Sequence, residues 1–271
     1  MSTGTGTALE VVGLAKSFTS DQGTVQAVRR VDMSARPGEL VTLIGPSGCG
    51  KSTVFNVVAG LEQPSAGEVR IGGSVVADRL GASAYMPQRD ALLPWRRVID
   101  NVTLPLVLAG SSPAAARRQV EPLLRRFGLG DFARAWPWQL SGGMRHRAAF
   151  LRTVAAEPGL ALLDEPFGAL DGITRADLQQ WLSAVRAELG TTVGLVTHDV
   201  AEAVFLSDVV VVLTARPAEV AAVLEVDLPR PREAEDRERA SFGDLERRLR
   251  HLLREASWAS VGPGAAERPP D

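Results

Sequence analysis

Lys51 and Ser52 close the stretch GPSGCGKS, Gly45 to Ser52, where an ammonium and a hydroxyl follow a run of small residues. The spacing is that of a phosphate-binding loop, G-x-x-x-x-G-K-[ST]. Glycines let the backbone curl until successive N–H groups converge on phosphate oxygens, and a side chain there would take the phosphate's place. The start of the following helix adds the positive end of its dipole. On this reading Lys51 reaches the β- and γ-phosphates of a nucleotide and the Ser52 hydroxyl ligates Mg²⁺. Gly45, Pro46, Ser47, Gly48, Cys49, Gly50 and Thr53 complete the loop. A plain glycine turn between strand and helix is the alternative.

Further along, LALLDEP ends an apolar run in two adjacent carboxylates. Asp164 at the tip of a central strand would join the Mg²⁺ shell beside the phosphate loop, and Glu165 would polarise an attacking water. Read alone, the same residues are a buried strand followed by an acidic turn. In LSGGMRHR, Ser141 caps a helix whose first backbone N–H groups are left bare by Gly142 and Gly143, a second anion-receptive helix start. Alone it is equally an ordinary capped helix.

These groups need elements to hold them. LEVVGLAKSF and VQAVRRVDMS read as β-rich segments around a polar turn, and ELVTLI as a short buried strand. KSTVFNVVAGL reads as a helix closed by Gly60. SAGEVRIGG and SAYMPQ suggest further strands. From about residue 90 to 157 the character turns helical, with Ser112 and Pro113 a good N-cap and first residue for AAARRQVEPLLRRFG. Strand–helix alternation then returns through LALLD, a helix with Leu178, Trp181, Leu182, Val185 and Leu189 on one face, TTVGLVTHD, a short helix over 200–206, and DVVVVL. The alternation predicts an α/β core with a mainly parallel sheet and a helical insertion. Beyond Pro229 the chain is rich in Arg, Glu, Ala and Pro, and Leu245, Leu249, Leu252 and Leu253 fit one amphipathic surface helix before a disordered end.

The whole composition narrows the function. Of 271 residues, 45% are hydrophobic and 23% charged, with a formal net charge of −2. That balance is globular and wrong for a strong polyanion binder, so no nucleic-acid partner is expected. The single cysteine, Cys49, excludes an intrachain disulfide. No apolar run approaches the ~20 residues of a membrane span, and MSTGTGTALE lacks the basic start and apolar core of a signal peptide. A cytoplasmic protein is expected, with any membrane role reached through a partner. His146 and His251 lack a pattern for metal or nucleophile chemistry, and Arg145, Arg147 and Arg152 read as a solvated helix face.

Taken together, the segments resemble the ATP-binding cassette family from about Leu9 to Leu228, with its motifs in order. GPSGCGKST resembles the Walker A loop, Gln88 in YMPQ the Q-loop, LSGGM the signature, LALLDEP the Walker B strand, Asp171 in GALD the D-loop, and His198 in VTHD the switch histidine. The resemblance implies a P-loop NTPase (RecA-like) core with an antiparallel β subdomain and an inserted α-helical subdomain, the nucleotide-binding domain spanning 8–228 and a charged tail 229–271. It implies ATP as substrate, Mg²⁺, and two cassettes paired head to tail. Ser141, Gly142, Gly143 and Met144 would then meet the nucleotide on the partner's loop. His198 would hold the γ-phosphate and the attacking water, and Gln88 would join the Mg²⁺ shell while sensing a membrane partner. Met144 stands where many members have Gln. Phe18 stands at the adenine-stacking position, often Tyr, and reads equally as a core aromatic.

ALLPWRRVIDNVTLPL, PWQLSGGMRHRAAFLRT, DEPFGALDGITR and TARP narrow the resemblance to importer ATPases for nitrate, aliphatic sulfonates, taurine and thiamine-precursor pyrimidines. That branch implies integral membrane permease subunits, an extracytoplasmic solute-binding protein, and a place on the cytoplasmic face of the membrane. Trp95, Trp136 and Trp138 lie where the family receives its permease, or else fill the small subdomain's core. Non-transport and envelope-regulating cassette ATPases are the rival readings.

Overall fold

The computed structural model describes residues 7–21, 23–168 and 170–258; within helices, the side chains of 173, 184, 185, 187–189 and 258 lie outside that description. The expected placement of Val185 and Leu189 on a shared face therefore falls outside the described residues. The chain begins with strands β1 (Leu9–Ser20) and β2 (Gly23–Ala35), β3 (Leu40–Ile44) and helix α1 (Lys51–Val58). Strands β4 (Ala66–Ile71), β5 (Ser74–Val75) and β6 (Ala84–Met86) follow. Helices α2 (Val98–Val102), α3 (Leu104–Leu108), α4 (Pro113–Arg126) and α5 (Gly142–Val154) come next. Then β7 (Leu160–Asp164), α6 (Gly172–Leu189), β8 (Thr192–Val196), α7 (Val200–Leu206), β9 (Val209–Leu213), β10 (Ala218–Glu225) and α8 (Ala240–Trp258) complete the order.

The described residues form one ten-stranded sheet in the order β5-β4-β1-β2-β10-β9-β3-β8-β7-β6. From β9 to β6 every pairing is parallel. β3, β7 and β8 are buried along their whole length. That is why their sequences are mostly apolar runs rather than alternating ones. The arm built from β1, β2, β4 and β5 is antiparallel, and it joins the core where β10 pairs with β2 at Ala218↔Val28 and Glu219↔Arg30.

Two apolar clusters are formed by the described residues. One lies under α1, with Leu9, Val28, Phe55, Leu162 and Val196 among its members. The other joins the sheet to the helices through Phe150, Phe167, Leu178 and Phe205. Trp181 packs edge-on to Phe127 and Phe150 with ring centroids 4.8 and 5.5 Å apart. α8 belongs to this second cluster: Phe242, Leu249 and Ala256 are buried, and Leu245, Leu252 and Leu253 pack against it. The tail helix is thus part of the core rather than a solvated appendage.

Candidate active site

Four adjacent parallel strands carry the chemistry at one edge of the sheet, where α/β folds bind ligands. In the order β3, β8, β7, β6 their C-terminal ends lead into the glycine loop, Thr197–His198, Asp164–Glu165 and Gln88. β7 is not the neighbour of β3; β8 and its histidine loop lie between them. A cleft of about 290 Å³ is lined by Ser47, Gly48, Gly50, Lys51, Ser52, Thr53, Gln88 and Glu165.

The Lys51 ammonium folds back onto its own loop, donating to the carbonyls of Gly45 and Pro46 at 2.9 Å each, and the residue is only 6% exposed. The glycines have reasons beyond room for phosphate. At Gly50, φ is +122°, and an added Cβ would stand 2.9 Å from the Ala27 carbonyl on β2. At Gly45 it would stand 2.9 Å from the Leu213 carbonyl on β9. Close approach of the loop to two strands thus forbids side chains there. Cys49 is buried in the core beneath the loop, its sulfur 3.8 Å from the Lys51 ammonium.

Glu165 adopts φ +52°, a left-handed conformation rare for a residue with a side chain. Its N–H donates to Val196 O at 2.9 Å and its carbonyl accepts from Gly168 N at 3.2 Å, which holds the turn. The carboxylate is positioned from two sides. Gln88 Nε2 donates to Oε2 at 3.0 Å, and His198 Nδ1 lies 3.6 Å from Oε1. A cavity of about 30 Å³, room enough to admit water, adjoins them, lined by Glu165, Gly168, Arg175, Thr197, His198, Asp199 and Glu202.

The residues fit a Mg²⁺ ion. Asp164 Oδ1 is buried and makes no hydrogen bond among the described residues. The neighbouring donors, Ser52 Oγ and the Gln88 carbonyl, are hard oxygens of the kind Mg²⁺ takes alongside substrate phosphates. Burial pushes the Asp164 carboxyl above its ordinary value; the Ser52 hydroxyl opposes this, Glu165 reinforces it, and Lys51 and Tyr85 oppose it. Burial likewise raises Tyr85, whose hydroxyl donates to Asn56 Oδ1 at 3.0 Å.

A stability consequence follows from the sign. Folded Asp164 holds its proton more tightly than the unfolded chain, so its contribution is fully favourable below the unfolded pKa of about 3.9 and is lost as pH rises through the folded value. Asp164→Asn is therefore expected to raise the nucleotide-free Tm at pH 7 while crippling turnover. The gain should close toward pH ~4. Thermal scans across pH test this, and a lower Tm at pH 7 would count against it.

Other candidates lie apart from the cleft. Ser141 caps α5, its hydroxyl accepting from Met144 N at 3.3 Å, and Ser141 and Gly142 are exposed while Gly143 and Met144 are half-buried. None of the four lines the cleft among the described residues. Asp171 caps α6, accepting from Thr174 N at 3.0 Å. Phe18 is 39% exposed, with the Lys16 ammonium 4.7 Å above its ring, so it is not a core aromatic.

Several residues were not visible as site components in the sequence. Asp90, two positions after Gln88, pairs with Arg145 of α5 at 3.0 Å, and Arg152 donates to the Asp90 and Ala91 carbonyls. Arg147 donates to Phe127 O at 2.7 Å. These arginines brace the helical region to the Q-loop and to itself; they do not form a free solvated face. His146 is buried beside the Glu165 and Pro166 carbonyls, and burial lowers its pKa. Arg175, Thr197, Asp199 and Glu202 join the catalytic edge, and of these VTHD alone contained a hint.

An anion-cradling loop after β3, and a buried carboxylate and a backbone-strained glutamate at the end of β7, gathered at one edge of a parallel sheet, define a P-loop nucleoside triphosphatase. The chain belongs to the ABC transporter family, whose model matches residues 28–168, and it binds and hydrolyses ATP. It is 46% identical over 220 residues to the aliphatic sulfonates import ATP-binding protein SsuB 1 of Xanthomonas axonopodis pv. citri, covering 80% of this chain and 87% of that protein. It is 43% identical over 237 residues to the nitrate import ATP-binding protein NrtC of Synechococcus elongatus, covering 86% of this chain and 36% of the longer relative. Among solved structures, the dimeric post-hydrolysis state of the ATP-binding cassette MJ0796 bound to ADP and Pi is 29% identical with TM-score 0.75, covering 82% of this chain and all of that one.

Proposed function

We propose that this chain is the ATP-hydrolysing subunit of an importer, working at the cytoplasmic face of a membrane as a head-to-tail pair of cassettes. No helix among the described residues is long and apolar enough to cross a membrane, so transport through the bilayer would belong to a permease. The observation that carries the docking role is a groove of about 360 Å³ walled by Trp95, Arg97, Asp100, Arg117 and Trp136. Trp95 and Trp138 are 69% and 64% exposed. Trp136 and Trp138 stack with centroids 5.1 Å apart, and Arg97 lies over Trp136. The buried Asn101 side chain pins the loop bearing Trp95 by accepting from Leu93 N and donating to the carbonyls of Leu93, Arg96 and Arg97. Rigid, exposed aromatics beside arginine suit a protein partner better than water.

In this reading Lys51 and the loop amides hold the β- and γ-phosphates, and Phe18 stacks on adenine. Ser52, Gln88 and Asp164 hold Mg²⁺, which would neutralise charge on the phosphate oxygens. Glu165 takes the proton from the attacking water, and His198 orients that water on the γ-phosphate. Ser141 through Met144 serve the partner's nucleotide, in keeping with their place outside the lining of their own cleft, and Asp171 serves the same seam. The cargo is a small solute of the nitrate, sulfonate, taurine or pyrimidine kind, delivered by an extracytoplasmic solute-binding protein.

Tagged Glu165→Gln, purified from detergent-solubilised native membranes with ATP, is expected to bring down a second cassette and a multi-span permease. Trp138→Asp added to it should lose the permease and keep the cassette pair. Recovery of soluble partners alone would overturn the importer role.

A further inference from the structure

Helix α7 begins directly after His198 and Asp199, and its far end is held by the tail. The last carbonyls of a helix lack intrahelical partners. Here Arg232, 2% exposed, donates to Val204, Phe205 and Ser207 O at 2.9, 3.0 and 2.7 Å. It also donates to Val226 and Leu228 O at 3.2 and 3.3 Å. Arg230 takes Leu206 O at 2.8 Å and Asp208 Oδ1 at 2.9 Å. Four successive carbonyls, 204 to 207, are thus bound by two arginines, cations placed where the helix dipole favours them.

A second line runs from the tail to the other end of α7. Arg237 lies over the Phe205 ring at 4.4 Å and donates to Gln179 Oε1 on α6. Gln179 Nε2 donates to Glu202 Oε1 at 3.0 Å, and Glu202 Oε2 accepts from Thr197 Oγ1 at 2.6 Å. Thr197 Oγ1 in turn accepts from Asp199 N at 3.0 Å. Thr197, Gln179 and Glu202 are 2, 1 and 6% exposed. A continuous hydrogen-bond chain, buried from Gln179 through Glu202 to Thr197, therefore joins Arg237 to both neighbours of His198.

We propose that Arg230, Arg232 and Arg237 are positioning residues for ATP hydrolysis, holding α7 and the Thr197–Asp199 turn so that His198 meets the Glu165 carboxylate. This rests on the role given to His198 above. Hydrogen bonds in a low-dielectric interior reinforce one another along a chain, so such a network can hold one geometry. A displacement of even an ångström at a reacting centre costs up to about a hundredfold. Among the described residues no tail side chain lines the cleft at the glycine loop, so nucleotide binding is left to other groups.

The test is steady-state ATP hydrolysis by the purified chain, with kcat and KM for ATP measured separately. Arg237→Ala is expected to lower kcat by about ten- to a hundredfold with KM changed by less than about twofold. Arg237→Lys, which keeps a donor for Gln179 and a cation over Phe205, should recover most of that loss. Glu202→Gln combined with Arg237→Ala should be no slower than the slower single variant, because both break one line. An unchanged kcat in Arg237→Ala, a rise in KM alone, or independent losses that multiply in the double variant would overturn the proposal. Arg232→Ala removes five hydrogen bonds and risks the fold, so Arg237 is the residue on which the proposal stands or falls. His198→Ala, assayed beside them, separates the two ideas. If it hydrolyses ATP normally, the histidine's role fails; if it is inactive while Arg237→Ala is normal, the tail's role alone fails.

Discussion

Glu165→Gln is expected to bind ATP as the parent does and to hydrolyse it about a hundred- to ten-thousandfold more slowly, the range for removing a general base. The substitution is nearly isosteric. Glutamine meets the same left-handed backbone, φ +52°, and its amide oxygen can still accept the Gln88 bond. What disappears is the charge and the proton-accepting power beside His198. ATP affinity, single-turnover hydrolysis and ATP-dependent dimer formation by size exclusion separate the outcomes. Intact binding with an accumulating dimer supports Glu165 as the base, whereas unimpaired turnover would remove it from that role.

Lys51→Ala should lose nucleotide binding. Truncating a buried, hydrogen-bonded charge at a binding site costs about 2–5 kcal/mol, so ATP affinity should fall by about thirtyfold to a few thousandfold. The ammonium bonds Gly45 O and Pro46 O from within the loop, and these carbonyls lose their cation in the variant. The loop then lacks both the charge for the phosphates and the group that keeps its own curl. Equilibrium binding of ATP reads the first effect, and retained tight binding would refute the phosphate-loop assignment.

Much of this site could be read before the structure because its parts are local. A glycine loop, a strand ending in two carboxylates and a serine-capped helix are short segments whose chemistry follows from neighbours in sequence. The parallel core was legible for the same reason: LVTLI, LALLD and TVGLV are mostly apolar without alternation, as expected of strands buried on both faces. The tail was not. Arg230, Arg232 and Arg237 lie in a charge-rich stretch that reads as solvated, and their partners are carbonyls at a helix end and an amide on α6. Carbonyl acceptors exist in every residue, so sequence carries no sign of which ones are left open. Arg145 and Arg152 misled similarly, because Asp90 is distant in the chain. The tryptophans posed the reverse problem: Trp181 is core and Trp138 is surface, and only packing tells them apart.

The sheet closes on its smallest members. One margin is β5, two residues long, and the other is β6, three residues long. A margin of unpaired N–H and C=O groups is a template on which a foreign strand can grow, and a long one invites fibrous association. Margins this short offer a stray chain too few rungs to hold. The ten described strands can therefore lie side by side in each cassette, and many cassettes can be crowded together, with little tendency to zip into one another.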